Sequence, residues 1–213
     1  MGIPALFATC IKTLYKPEAG SDDRGWENAM TTIIGISGSL RAQSFNTALL
    51  RTAATLMPQG ARLDIASIRG IPLYDGDVED SDGIPATVSA LKDKIAAADG
   101  LLLATPEYNN AMPGVFKNAL DWLSRPPSDS ARVFGNRPVA VMGASPGGFG
   151  TILAQNAWLP VLRTLGTRPW FNGRLMVARA GGVFNEQGEL VDEKIKAQLQ
   201  QFLQGFVGFV QSS

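Results

Sequence analysis

The chain contains no histidine and only one cysteine, Cys10. Ser–His–Asp triads, Cys–His pairs, Cys/His zinc sites and disulfides within the chain are thereby excluded. Neither charge is in excess, since 19 lysines and arginines balance 19 aspartates and glutamates. No broad positive field exists to hold nucleic acid or an anionic membrane, so small molecules are the expected partners. No apolar run approaches the roughly 20 residues of a transmembrane helix. The start, MGIPALFATCIK, has no basic n-region, and Leu6 stands where a myristoylation pattern needs serine or threonine. A reducing cytoplasm is the expected compartment. What the sequence does have, over 213 residues, is the composition of one soluble domain with a sizeable core.

Residues 1–29 differ from the rest. Pro4, Pro17, Gly20 and Gly25 interrupt them, and Ser21 to Arg24 is a polar cluster without apolar period. They are expected to be an unpacked extension, with Met30 as the natural start of a domain over 30–213. From Thr32 onward, short apolar runs ending in Gly, Ser or Pro alternate with stretches of helical spacing. Strands are expected at Thr32 to Ser37, Ala61 to Ile68, Gly100 to Thr105 and Pro138 to Ala144, with a fifth inside Arg168 to Ala178 broken by Asn172-Gly173. Helices are expected at about Asn46 to Met57, Pro85 to Ala98, Gly114 to Ser124, Ile152 to Leu165 and Asp192 to Val210. Their inward faces carry Leu49, Ala53 and Leu56; Val88, Leu91, Ile95 and Ala98; Val115, Phe116, Ala119, Leu120 and Leu123; Trp158, Val161, Leu162 and Leu165; and Leu199 to Phe209. The acidic stretch Tyr74 to Gly83 reads as a solvated loop, lacking the spacing of a calcium loop, and 125–136 as a second loop.

Five strands alternating with five helices imply an α/β fold with a mostly parallel sheet covered on both faces. Such sheets bind ligands at the carboxyl ends of their strands, and in a flavodoxin-like order of 2-1-3-4-5 the ends of strands one, three and four are neighbours. The loops that follow those strands are the ones rich in site chemistry. In Thr32 to Asn46, TIIGISGSLRAQSFN, an apolar run passes through Ser37-Gly38-Ser39 into a helix start. Unpaired N–H groups and partial positive charge there suit an anion, and Gly38 suits the backbone of a tight loop. Arg41 adds a fixed charge, and Ser39, Ser44 and Asn46 add donors. No Walker A lysine and no G-x-G-x-x-G is present, which leaves a site for a single phosphate. Gly143 to Gly147 fits the G-x-S-x-G of a hydrolase elbow, but without histidine it has no base. It reads instead as a glycine-rich loop that a flat ligand can approach.

These loops resemble the NADPH-dependent FMN reductase family, whose members include quinone, chromate and azo-dye reductases. The resemblance rests on GSLRAQSFN at Gly38 to Asn46, PEYNNAMPGVFKNALDW at Pro106 to Trp122 and GASPGGFG at Gly143 to Gly150, and spans about Thr32 to Val210. Asn110 stands where many members carry glycine. The resemblance implies a flavodoxin-like fold in which Ser39, Arg41, Ser44 and Asn46 hold the FMN phosphate. Pro106, Glu107, Tyr108 and Asn109 would line the isoalloxazine ring, and Ser145, Gly147 and Gly148 would close its other edge. It also implies NADPH or NADH as co-substrate, a small electron acceptor and a homodimer or homotetramer. No catalytic side chain is required, because the flavin carries the chemistry. A flavodoxin-type electron carrier serving a protein partner is the alternative.

Overall fold

The computed structural model describes residues 30–212, and residues 1–29, expected to be an unpacked extension, lie outside them. The apolar runs form parallel strands β1 (Thr31–Ser37), β2 (Ala61–Ala66), β3 (Gly100–Ala104), β4 (Pro138–Ala144), β5 (Arg168–Pro169) and β6 (Leu175–Val177). They pair in the order β2-β1-β3-β4-β5, with β6 also on β4. The expected fifth strand is thus two pieces. β5 pairs with the start of β4 and β6 with its end. Between them Trp170 turns inward onto Phe202 and Phe206, at 5.1 and 5.8 Å between ring centroids. Gly173 stands against that indole, where a Cβ would lie 2.4 Å from the ring.

Helices α1 (Phe45–Thr55), α2 (Gly76–Asp82), α3 (Ala86–Ala96), α4 (Gly114–Leu123), α5 (Pro127–Phe134), α6 (Ile152–Thr164) and α7 (Glu193–Gln211) cover the sheet. The period-two pleat of the strands sends alternate residues to two cores. Ile33 and Leu102 pack with Leu49, Leu199 and Phe206 on the side of α1 and α7. Ile34, Ile36, Leu101 and Leu103 pack with Leu91, Phe116, Trp122 and Trp158 on the side of α3 to α6. Val115, expected on the inward face of its helix, is exposed in the first turn of α4, and Ile65 is exposed on the edge strand β2.

Both stretches read as loops contain a helix. α2 buries no residue. It is held by ends and partners: Asp75 caps it by accepting from Asp77 N at 3.0 Å, and Asp77 and Glu79 sit where the helix dipole favours anions. Glu79 accepts from Arg125 Nε at 2.7 Å and from Tyr74 O–H at 3.0 Å, and the Arg125 contact holds its carboxyl below the usual range. α5 buries only Val133 and Phe134. Its anchor is Lys92 of α3, whose side chain is 3% exposed and whose Nζ lies 2.6 Å from Asp129 Oδ2 and donates to the Arg125 carbonyl. Arg132 and then Lys92 hold the Asp129 carboxyl well below the usual carboxylate range.

The two ends of this ion pair differ in what they leave behind. Asp129→Ala strands Lys92 in an apolar layer without an anion and should cost about 3 kcal/mol or more. Lys92→Met should cost less, because Asp129 keeps Arg132. A carboxylate held low contributes stability above its unfolded pKa of about 4 and loses it as pH falls toward the folded value. Urea titrations at descending pH should therefore show a shallower acid loss in Asp129→Asn than in the parent chain.

Candidate active site

The loops after β1, β3 and β4 meet at one cleft of about 350 Å³, open solvent within it included. Its lining takes Ser39, Arg41, Ser44, Phe45 and Asn46 from the first, Pro106, Glu107 and Tyr108 from the second, and Ala144, Ser145 and Pro146 from the third. Asn109, Gly147 and Gly148, expected in the lining, stand outside it. Phe45, Ala144 and Pro146 were not singled out by the sequence. Their only signal was a place beside residues that were.

The first loop leaves the sheet with Gly38 N donating to Ala104 O at 2.9 Å. Gly38 is required for space, not for an unusual backbone angle, since a Cβ there would lie 2.2 Å from the Phe116 ring. Ser37 Oγ accepts from Ser39 N at 3.3 Å and from Thr47 Oγ1 at 3.0 Å, while Ser39 Oγ accepts from Arg41 N at 3.3 Å. Ser44 caps α1 by accepting from Thr47 N at 3.2 Å, which leaves its O–H able to donate. Asn46, expected to offer its amide to an anion, commits one Nδ2 hydrogen and its oxygen to the fold. Its Nδ2 donates to Ala144 O at 2.8 Å and its Oδ1 accepts from Ala144 N at 2.9 Å, so it ties α1 to the end of β4. Ser39, Ser44, Arg41 and the first residues of α1 all line the cleft. Among the described residues the Arg41 guanidinium has no hydrogen-bond or ion-pair partner.

In the second loop Glu107 also has a structural duty. Its Oε2 accepts from Leu153 N at 2.9 Å and Ala154 N at 3.0 Å, capping α6, where Thr151 makes no side-chain cap. Tyr108 and Ala111 exchange backbone bonds of 3.0 and 3.1 Å around Asn109 and Asn110, whose φ angles are 51° and 61°. This is a two-residue turn with both central residues left-handed, where asparagine is tolerated and glycine costs nothing. Asn109 and Asn110 are the two central, left-handed residues of this turn. Tyr108 is left half-exposed at the cleft mouth.

The third loop is closed by Ser145, whose Oγ donates to Gly150 O at 2.6 Å. The elbow-like serine is therefore a loop clasp. Gly147 O accepts from Arg179 N at 2.9 Å, and at Gly148 a Cβ would meet nothing within 4 Å. Backbone near the cleft is thus left uncovered by the protein's own side chains.

A parallel sheet of order 2-1-3-4-5 with an anion cradle after its first strand, and two ligand-facing loops at neighbouring strand ends, defines a flavodoxin-like mononucleotide-binding protein. Residues 31–182 match the family model described as NADPH-dependent FMN reductase, and the chain belongs to that family. It is 45% identical over 172 residues to an NAD(P)H-dependent FMN reductase of Pseudomonas aeruginosa, covering 81% of this chain and 91% of that one. It is 36% identical over 184 residues to a quinone reductase of Escherichia coli K12, covering 84% and 95%. Among solved structures it is similar to FerB, a flavoenzyme NAD(P)H:(acceptor) oxidoreductase of Paracoccus denitrificans. That similarity has a TM-score of 0.76 at 32% identity, covering 85% of this chain and 98% of FerB.

Asn46→Ala would orphan the buried N–H and C=O of Ala144. Each orphaned group costs roughly 1–3 kcal/mol, so the substitution should lower unfolding free energy by about that amount or twice it. Because the strut also joins the start of α1 to the third loop, FMN titration of the variant should show weaker binding than that of the parent chain.

Proposed function

We propose that this chain is an FMN-dependent NAD(P)H oxidoreductase, acting in the cytoplasm, that passes electrons from a nicotinamide to a small acceptor such as a quinone, free flavin, azo compound or chromate. The observation that carries this reading is the cleft itself, whose lining brings an arginine without a partner among the described residues and the N-terminus of α1 together with the aromatic Tyr108. The arginine suits a phosphate and the tyrosine a flat ring. Bound FMN supplies the hydride chemistry. The chain's residues hold and orient: Arg41 and the first turn of α1 take the phosphate, with Ser39 and Ser44 as hydroxyl donors. Pro106 and Tyr108 wall the ring, and Ser145, Gly147 and Gly148 bring backbone to its edge. Asn46 and Glu107 keep the three loops in register, and the half-exposed Tyr108 marks the side from which nicotinamide and acceptor enter.

Two measurements test the reading. Arg41→Ala removes a charge-assisted hydrogen bond worth about 1.5–3 kcal/mol, so FMN should bind roughly ten- to a hundredfold more weakly while the circular dichroism is unchanged. In the parent protein, anaerobic NADPH should bleach bound FMN directly. A protein that binds FMN but is bleached only through an added redox partner would be an electron carrier instead.

A homodimer or homotetramer is part of the same proposal. α6 turns Ile152 and Leu159 outward seven residues apart, with Leu153 beside them, and near it Phe149 and Phe171 are 84% and 67% exposed. Apolar surface grouped in this way favours a second copy over water. Sedimentation should show an oligomer for the parent chain and a smaller species for Leu159→Asp, with the monomer fold intact. A parent chain that sediments as a monomer would refute it.

A further inference from the structure

The cleft does not end at the phosphate cradle. A groove of about 1080 Å³, open solvent included, shares Arg41, Ser44 and Phe45 with it and runs along α1 to Arg51. Its far wall is the turn 185–188, which is built without help from any ligand. Asn185 Nδ2 donates to Glu189 Oε2 at 2.8 Å, Glu189 N donates to Asn185 Oδ1 at 2.8 Å, and Gly188, at φ 78°, brings the chain back. Phe45 of α1 stacks on Phe184 at 5.6 Å between centroids, which fixes the floor between helix and turn.

The charges of this groove are not used by the fold. Among the described residues the Arg51 guanidinium, like that of Arg41, has no hydrogen-bond or ion-pair partner. Arg51 lies six residues beyond the first residue of α1, about 9 Å along the axis, so the two cations are placed for phosphates on different groups. Glu186, on the turn opposite, is the one carboxylate in the lining. A carboxylate repels a bare phosphate but accepts hydrogen bonds from sugar hydroxyls.

We propose that this groove is a nucleotide subsite, taking the phosphate-bearing adenosine half of a dinucleotide whose other half lies in the cleft. Arg51 pairs with the phosphate and Glu186 accepts from a ribose hydroxyl. The proposal rests on the FMN reading above. The same adenosine phosphate chemistry has two sources, the NADPH co-substrate or FAD in place of FMN.

The test is calorimetry on the parent chain and Arg51→Ala. FMN-loaded protein is titrated with adenosine 2′,5′-bisphosphate and with inorganic phosphate, and flavin-free protein with FMN and FAD. The parent should bind the bisphosphate more tightly than inorganic phosphate. Arg51→Ala should weaken it about tenfold or more with FMN affinity unchanged, and Arg51→Lys should recover part of the loss. A loss confined to FAD assigns the groove to the flavin's own adenosine. If Arg51→Ala changes neither ligand while FMN still binds, or if inorganic phosphate binds as well as the bisphosphate, the subsite is refuted and the FMN reading stands. If the parent binds no FMN, the reading beneath it fails.

Discussion

The side chain of Asn46 and the backbone of Ala144 are 98 residues apart in sequence and joined by two buried hydrogen bonds. That contact fixes the start of α1 on the end of β4, and without it the anion cradle has no set position relative to the other loops. Glu107 makes the matching connection from the second loop to the N-terminus of α6. Both fasten a side chain of one loop to backbone groups at an element end of another, which satisfies polar groups that a strand or helix end would otherwise leave orphaned. The three loops thus hold one another while the groups facing the cleft are left for a ligand. Preorganisation of this kind is what a protein contributes when the cofactor carries the reaction.

Strand positions and both cores were legible because β1, β3 and β4 are nearly continuous apolar runs, the pattern of strands buried on two faces, while their order came with the flavodoxin-like resemblance. Elements held by something other than apolar burial were not. α2 has no buried residue for a periodicity to reveal, and α5 has two adjacent ones. Their support comes from Glu79–Arg125 and Lys92–Asp129, ion pairs whose members are 46 and 37 positions apart. The break in the last strand was legible at Asn172-Gly173, but the inward turn of Trp170 beside it is a matter of direction that spacing does not carry.

The candidate site shows the same division. Residue types and strand positions told which loops would meet at one cleft. They did not tell which way each group points. Asn46, Glu107 and Asn109 have the donors and acceptors of ligand contacts, yet each is engaged in fastening a loop or turning it. The neutral total charge conceals the same point. With acids and bases in balance, the positive charge at the cleft is that of Arg41 and the start of α1, a local field and not a global one.

Glycines allow the sorting to be made residue by residue, because each can be asked what a Cβ would meet. At Gly38 it would strike Phe116, at Gly143 it would strike Thr151 and the Thr105 carbonyl, and Gly150 combines φ 63° with contact on Met176. These three are explained by the protein alone. At Gly147 the nearest atom is Ser145 Oγ at 3.5 Å, and at Gly148 there is nothing within reach. Neither has a positive φ. The contacts of the chain do not require glycine at these two positions, and their backbone is left open. The G-x-S-x-G resemblance to a hydrolase elbow dissolves on the same reasoning: its first glycine serves packing, its serine clasps Gly150, and its last has only Ser145 Oγ within reach of a Cβ.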